Sequence, residues 1–111
     1  MRIDEILKEI NRIEREQEEA NGYIRKLRKT EEEVHEDLKV MLKEIDHEFE
    51  LCLGDPKLVR LVEERHEILK KLERECGEML GSLEEERKRF NHKCDLDLEE
   101  LRMEMKRLEA M

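Results

Sequence analysis

Leu53-Gly54-Asp55-Pro56, at the midpoint of a 111-residue chain, is the stretch whose reading decides the fold. Gly54 suits the left-handed position just past a helix C-terminus. Asp55 is a good N-cap, and Pro56 fits the first helical position, where its missing N–H has no partner to lose. No other break of comparable strength occurs along the chain. Two roughly equal helical halves joined by so few residues must fold back on each other. The pattern therefore predicts an all-α fold, an antiparallel two-helix coiled-coil hairpin forming one domain over residues 1–111. Helix 1 is expected over about 3–52, the turn over 53–56 and helix 2 over about 57–109.

Outward from the turn, both halves carry a seven-residue apolar rhythm. In the first half it selects Ile3, Ile6, Ile10, Ile13, Gln17, Ala20, Ile24, Leu27, Glu31, Val34, Leu38, Met41, Ile45, Glu48 and Cys52. Twelve of these fifteen are apolar, which marks a coiled-coil seam. The second half gives Leu58, Val62, Arg65, Leu69, Leu72, Cys76, Met79, Leu83, Glu86 and Phe90, then slips in phase to Cys94, Leu98, Leu101, Met105 and Leu108. Such a slip locally relaxes the left-handed supercoil. Folding about the turn pairs residues whose numbers sum to about 110, so Ile10 faces Leu101, Ala20 faces Phe90, and Arg65 comes within a turn of Glu48.

Composition narrows the function. Half the residues are charged, and the net charge is −9, with 32 acidic against 23 basic residues. Nucleic acid calls for a basic face to neutralise phosphate, so none is expected as a partner. No apolar run approaches bilayer length, so no membrane is expected, and Met1-Arg2-Ile3-Asp4 leads straight into an amphipathic pattern without a secretory signal. With three cysteines, an odd count, a cytoplasmic location is expected, co-export through a signal-independent apparatus remaining open. A hairpin has almost no interior, so no catalytic site and no cofactor is expected. His92-Lys93-Cys94 and the group His47, Cys52 and His66 lack the four convergent ligands of a structural zinc, so no metal is expected either.

Apolar residues off the seam point to a protein partner. Leu42, Phe49, Leu51, Val59 and Leu61 cluster about the turn and read as a docking patch. Leu80 adjoins Gly77 and Gly81, small residues four apart that would let another helix approach the second arm. A homodimer of hairpins is a further way to cover such a surface.

The charged stretch Ile10-Asn11-Arg12-Ile13-Glu14-Arg15-Glu16-Gln17-Glu18-Glu19-Ala20-Asn21, the apolar turn region from Ile45 to Leu61 and the charged return Leu83-Glu84-Glu85-Glu86-Arg87-Lys88-Arg89 together resemble the WXG-like superfamily of type VII secretion. Within it they are similar to the small helical Lap-type targeting or chaperone proteins associated with LXG toxins. The turn here has Leu53-Gly54-Asp55 in place of the W-x-G signature, and Phe90 is followed four residues later by Cys94 where the export motif has an acid. The resemblance implies a non-catalytic adaptor that binds the helical N-terminal domain of a larger toxin, together with a second small helical protein, and targets it for export. Two other readings share the hairpin: a coiled-coil stalk or scaffold of a flagellar or type III secretion ATPase, and a self-associating four-helix-bundle dimer.

Overall fold

The computed structural model describes residues 2–111 and is an all-α helical hairpin of two long helices, α1 (Ile3–Leu51) and α2 (Pro56–Glu109). The turn is one residue earlier than expected, because Cys52 leaves α1 and Pro56 opens α2. Asp55 caps α2, its Oδ1 accepting from the backbone N–H groups of Lys57 at 3.0 Å and Leu58 at 3.4 Å. Gly54 departs from expectation, since no described residue has a positive φ. The chain instead leaves α1 by tightening in the right-handed sense. Cys52 N–H donates to the carbonyls of Glu48 and Phe49, and Asp55 N–H donates to that of Cys52 at 2.9 Å. Short i→i+3 bonds of this kind satisfy the last carbonyls without a left-handed residue.

The hairpin consists of two compact units. One comprises the N-terminal residues through Lys26 together with Leu83–Met111, and the other is Leu27–Ser82. In the first, Ile6, Ile10 and Ile13 of α1 bury against Cys94 and Leu98 of α2, with Phe90, Leu101, Met105 and Leu108 packed around them. Ile6 is fully buried. Phe90, Cys94, Leu98 and Leu101 follow one another at spacings of four, four and three on the covered side, which is the phase slip seen in the sequence. A polar layer interrupts this core. Gln17 Nε2 donates to Asn91 Oδ1 and Asp95 Oδ1, both at 3.2 Å, and Asn21 Nδ2 donates to the same Asn91 oxygen at 2.9 Å. Nearby, Arg102 of α2 bonds Glu14 of α1 at 2.9 Å.

In the second unit Leu38, Leu42, Ile45, Val62 and Cys76 are buried, and Phe49, Cys52, Val59, Leu69 and Leu80 are half-buried. The covered positions here are Leu27, Glu31, His35, Leu38, Leu42, Ile45 and Phe49 of α1 and Cys52 just past its end, so the strict seven-residue rhythm gains one residue between Leu27 and His35. An ideal helix drifts by about 20° per heptad from a perfect 3.5-residue repeat. From Ile3 to Glu31 four heptads accumulate about 80°, close to one residue's rotation, and the extra residue absorbs it. The seam is accordingly rotated from the expected one. Val34 and Met41 stay 44% and 45% exposed, and Leu58, Leu72 and Met79 are exposed too. Val59, His66, Glu73 and Leu80 take the places that Leu58, Arg65, Leu72 and Met79 were expected to fill.

Candidate partner-binding surface

Rotation of the seam sorts the expected docking residues into two groups. Leu42 is buried in the seam of the second unit and is not part of a surface. Phe49, Val59 and Leu80 are also seam residues, half-buried between the helices. Leu51 and Leu61 are exposed, at 74% and 54%, and Leu53 and Leu58 lie open beside them in sequence. The turn end of the hairpin thus presents four leucines to solvent.

A shallow cleft of about 300 Å³ opens behind the turn, lined by Ile45, Asp46, Phe49, Val62, Glu63, His66 and Glu67. Its floor is apolar, because Ile45, Phe49 and Val62 are seam residues close to the turn. Its rim is acidic, with three carboxylates and one imidazole, and His66 Nε2 lies 3.7 Å from Asp46 Oδ1. An apolar floor with a negative rim suits an apolar anchor flanked by basic groups.

The sequence reading missed a second surface. On α2, Leu58, Leu61, Arg65, Ile68, Leu72, Glu75 and Met79 are spaced three and four apart and are all exposed. Each immediately precedes a seam position (Val59, Val62, His66, Leu69, Glu73, Cys76, Leu80), so the stripe runs along one flank of the seam. On α1 the matching flank carries Val34, Met41 and Glu48, which precede His35, Leu42 and Phe49. Arg65 Nη1 and Glu48 Oε2 are 3.8 Å apart, so these flanks of the two helices lie on the same side of the unit. The signal in the sequence was the doubled apolar pair at Leu58-Val59, Leu61-Val62, Ile68-Leu69 and Met79-Leu80. One member of each pair fills the seam and the other remains outside.

Titratable groups in the seam are arranged as spacers. Cys76 Sγ donates to the Glu31 carbonyl at 3.3 Å and lies 3.5 Å from its carboxylate, while His35 Nε2 is 3.7 Å from Glu73 Oε1. Burial, then the bond to Glu31, pushes the Cys76 thiol above its ordinary range. Burial also raises Cys94, helped by the charges of Asp97, Asp95 and Glu16. Neutral thiols of this kind are poor nucleophiles. All three cysteines are free, and among the described residues no group of three or more His, Cys, Asp or Glu side chains is arranged to hold a metal ion. Open space surrounds the position of a Cβ at Gly77 and at Gly81, so nothing in the chain makes a close approach there. A further ionic cluster is local to one helix. Arg12 bonds Glu9 and Glu16 on the α1 surface, holding the Glu9 carboxyl below its usual range and Arg12 firmly protonated.

No family model matches the chain, and no curated protein and no solved structure shows significant similarity to it. Among the described residues no helix is long and apolar enough to cross a membrane.

Proposed function

We propose that the chain is a non-catalytic helical binding module that takes a helical segment of a larger protein against its turn end. The observation that carries this reading is the acid-rimmed apolar cleft of Ile45, Phe49 and Val62, at the same end of the hairpin as four exposed leucines (Leu51, Leu53, Leu58 and Leu61). An amphipathic helix with apolar anchors at i, i+3 and i+7 and lysines or arginines beside them complements the floor and rim of the cleft. Burying such anchors contributes roughly 25 cal/mol per Å² of apolar surface, and the rim adds selectivity more than affinity. On the resemblance to LXG-associated proteins, the partner is the helical N-terminal domain of a type VII-secreted toxin, and the hairpin serves it as a cytoplasmic targeting chaperone. A second small helical protein completes that complex in the same reading.

Titration with two fluorescent helical peptides that share leucine anchors tests the surface chemistry. One peptide is flanked by Lys and Arg, the other by Glu. Saturable binding of the basic peptide that weakens with salt, and none of the acidic one, is expected. Equal binding of both, or of neither, would contradict the assignment of the cleft.

A further inference from the structure

The exposed stripe of α2 has an order that goes beyond being apolar. Read from the turn it runs Leu58, Leu61, Arg65, Ile68, Leu72, Glu75, Met79, with one basic and one acidic residue among five apolar ones. Set antiparallel against an identical stripe, it has one register in which every residue from Leu61 to Met79 meets a compatible one. That register pairs positions whose numbers sum to 140. Leu61 then meets the partner's Met79, Ile68 meets the partner's Leu72, and Arg65 meets the partner's Glu75. Each pairing occurs twice about a twofold axis near residue 70. Slipping by one heptad either way opposes Arg65 to Ile68, or Leu72 to Glu75, burying a charge against an apolar side chain.

From these relations we infer that the α2 stripe is the interface of a homodimer, in which two hairpins associate through antiparallel α2 helices into a four-helix arrangement. The inference does not rest on the cargo reading: the two surfaces share Leu58 and Leu61, whereas Ile68, Leu72 and Met79 lie outside the turn-end cleft. The rest of the patch supports it. His35–Glu73 and Asp46–His66 contacts place Met41 of α1 level with about residue 70, at the proposed axis, with Val34 on the same flank. The exposed apolar residues of both helices therefore centre on the axis. From Leu58 to Met79 the stripe is about 32 Å long at 1.5 Å per residue, and two helices side by side are roughly 20 Å wide. The resulting footprint of ~600 Å² approaches the ~800 Å² per partner of a standard stable interface. Arg65 is already oriented by Glu48, and a guanidinium has donors for a second carboxylate. The arrangement is isologous and closes on itself, so it makes a dimer and not a filament.

Sedimentation equilibrium of the full chain over a wide concentration range tests the inference, the monomer being 13.6 kDa. Twice that mass at micromolar concentration is expected. Ile68→Glu with Leu72→Glu should give the monomer mass with unchanged helicity by circular dichroism, since both side chains are exposed. Arg65→Glu and Glu75→Arg should each weaken the dimer at least tenfold. Mixing the two single variants should restore it as a heterodimer, because each chain then offers the charges the other lacks. A monomer at all concentrations would overturn the proposal, as would a dimer indifferent to Leu72→Glu or single variants that fail to rescue each other on mixing. Leu51→Glu with Leu53→Glu, which alters only the turn end, should leave the dimer intact.

Discussion

Arg65 of α2 reaches Glu48 of α1, Nη1 to Oε2 at 3.8 Å, and both residues stand one position before a seam residue. The pair is more than half exposed on the arginine side, so it contributes at most about 1 kcal/mol to folding. Its importance is geometric. It shows which flanks of the two helices share a side, and hence that Val34 and Met41 extend the apolar stripe of α2.

The stability of the first unit rests on the isoleucines of α1. Ile6 is fully enclosed by the surrounding core. Replacing it with alanine removes a buried side chain and leaves a cavity, a change that costs about 2–4 kcal/mol. Urea titration followed by circular dichroism should show the midpoint fall accordingly. Met103→Ala, at an exposed position of the same unit, should move it by less than about 0.5 kcal/mol.

Polar seam residues set register at some expense in stability. Asn91 Oδ1 accepts from both Gln17 and Asn21, while Asn21 Oδ1 is buried without a partner. Asn91→Leu alone leaves the Asn21 amide without its acceptor and removes one of two from Gln17, and should destabilise the hairpin by about 1–3 kcal/mol. The triple replacement of Gln17, Asn21 and Asn91 by leucine should recover that loss and exceed it, while allowing slipped pairings. Unfolding midpoints, with cross-helix distances from paired spin labels, would detect both effects. A triple variant less stable than the single one would contradict the account.

Gly77 and Gly81 are interior to α2 with open space around them. Alanine at either position needs no rearrangement and should stabilise the helix by about 0.5–1 kcal/mol, because glycine loses more backbone freedom on folding. Chemical denaturation of each variant measures this directly. Destabilisation would show that a hinge or a close neighbour depends on them.

Burial raises the thiols of Cys76 and Cys94 in the folded chain. The folded state therefore keeps protons that the unfolded chain gives up above roughly pH 8.5. By linkage, the stability contributed by these thiols is complete below that pH and is lost as pH rises through their higher folded values. Alkylation by iodoacetamide at pH 8 should be slow at Cys76 and Cys94 in the native protein and fast in urea. Equal rates in the two conditions would refute the burial.

The turn was legible because it depends on local chemistry. Asp55 and Pro56 do what capping rules require, while the backbone sign at Gly54 differs and the turn starts one residue earlier. The core of the first unit was legible as well, since Ile6, Ile10, Ile13, Cys94 and Leu98 fall on the expected stripe. The seam of the second unit was not. A strict repeat drawn through Glu31 ignores the accumulated drift of a 3.6-residue helix, and one added residue there exchanges Met41 for Leu42 and Glu48 for Phe49. With apolar side chains at both Leu58 and Val59, the sequence alone offers two seams. Packing against α1 selects one and leaves the other as a surface. For that reason the sequence alone assigns Leu42 to a docking patch and gives Ile68 no role.

Affinity isolation of the tagged chain from its own cells, beside the Leu51→Glu, Leu53→Glu variant, tests the central claim most directly. Mass spectrometry should find a larger protein with a helical N-terminal domain on the wild-type chain, lost from the variant although the variant is equally helical. Recovery of the same partner with both chains, or of a secretion ATPase in its place, would contradict the account.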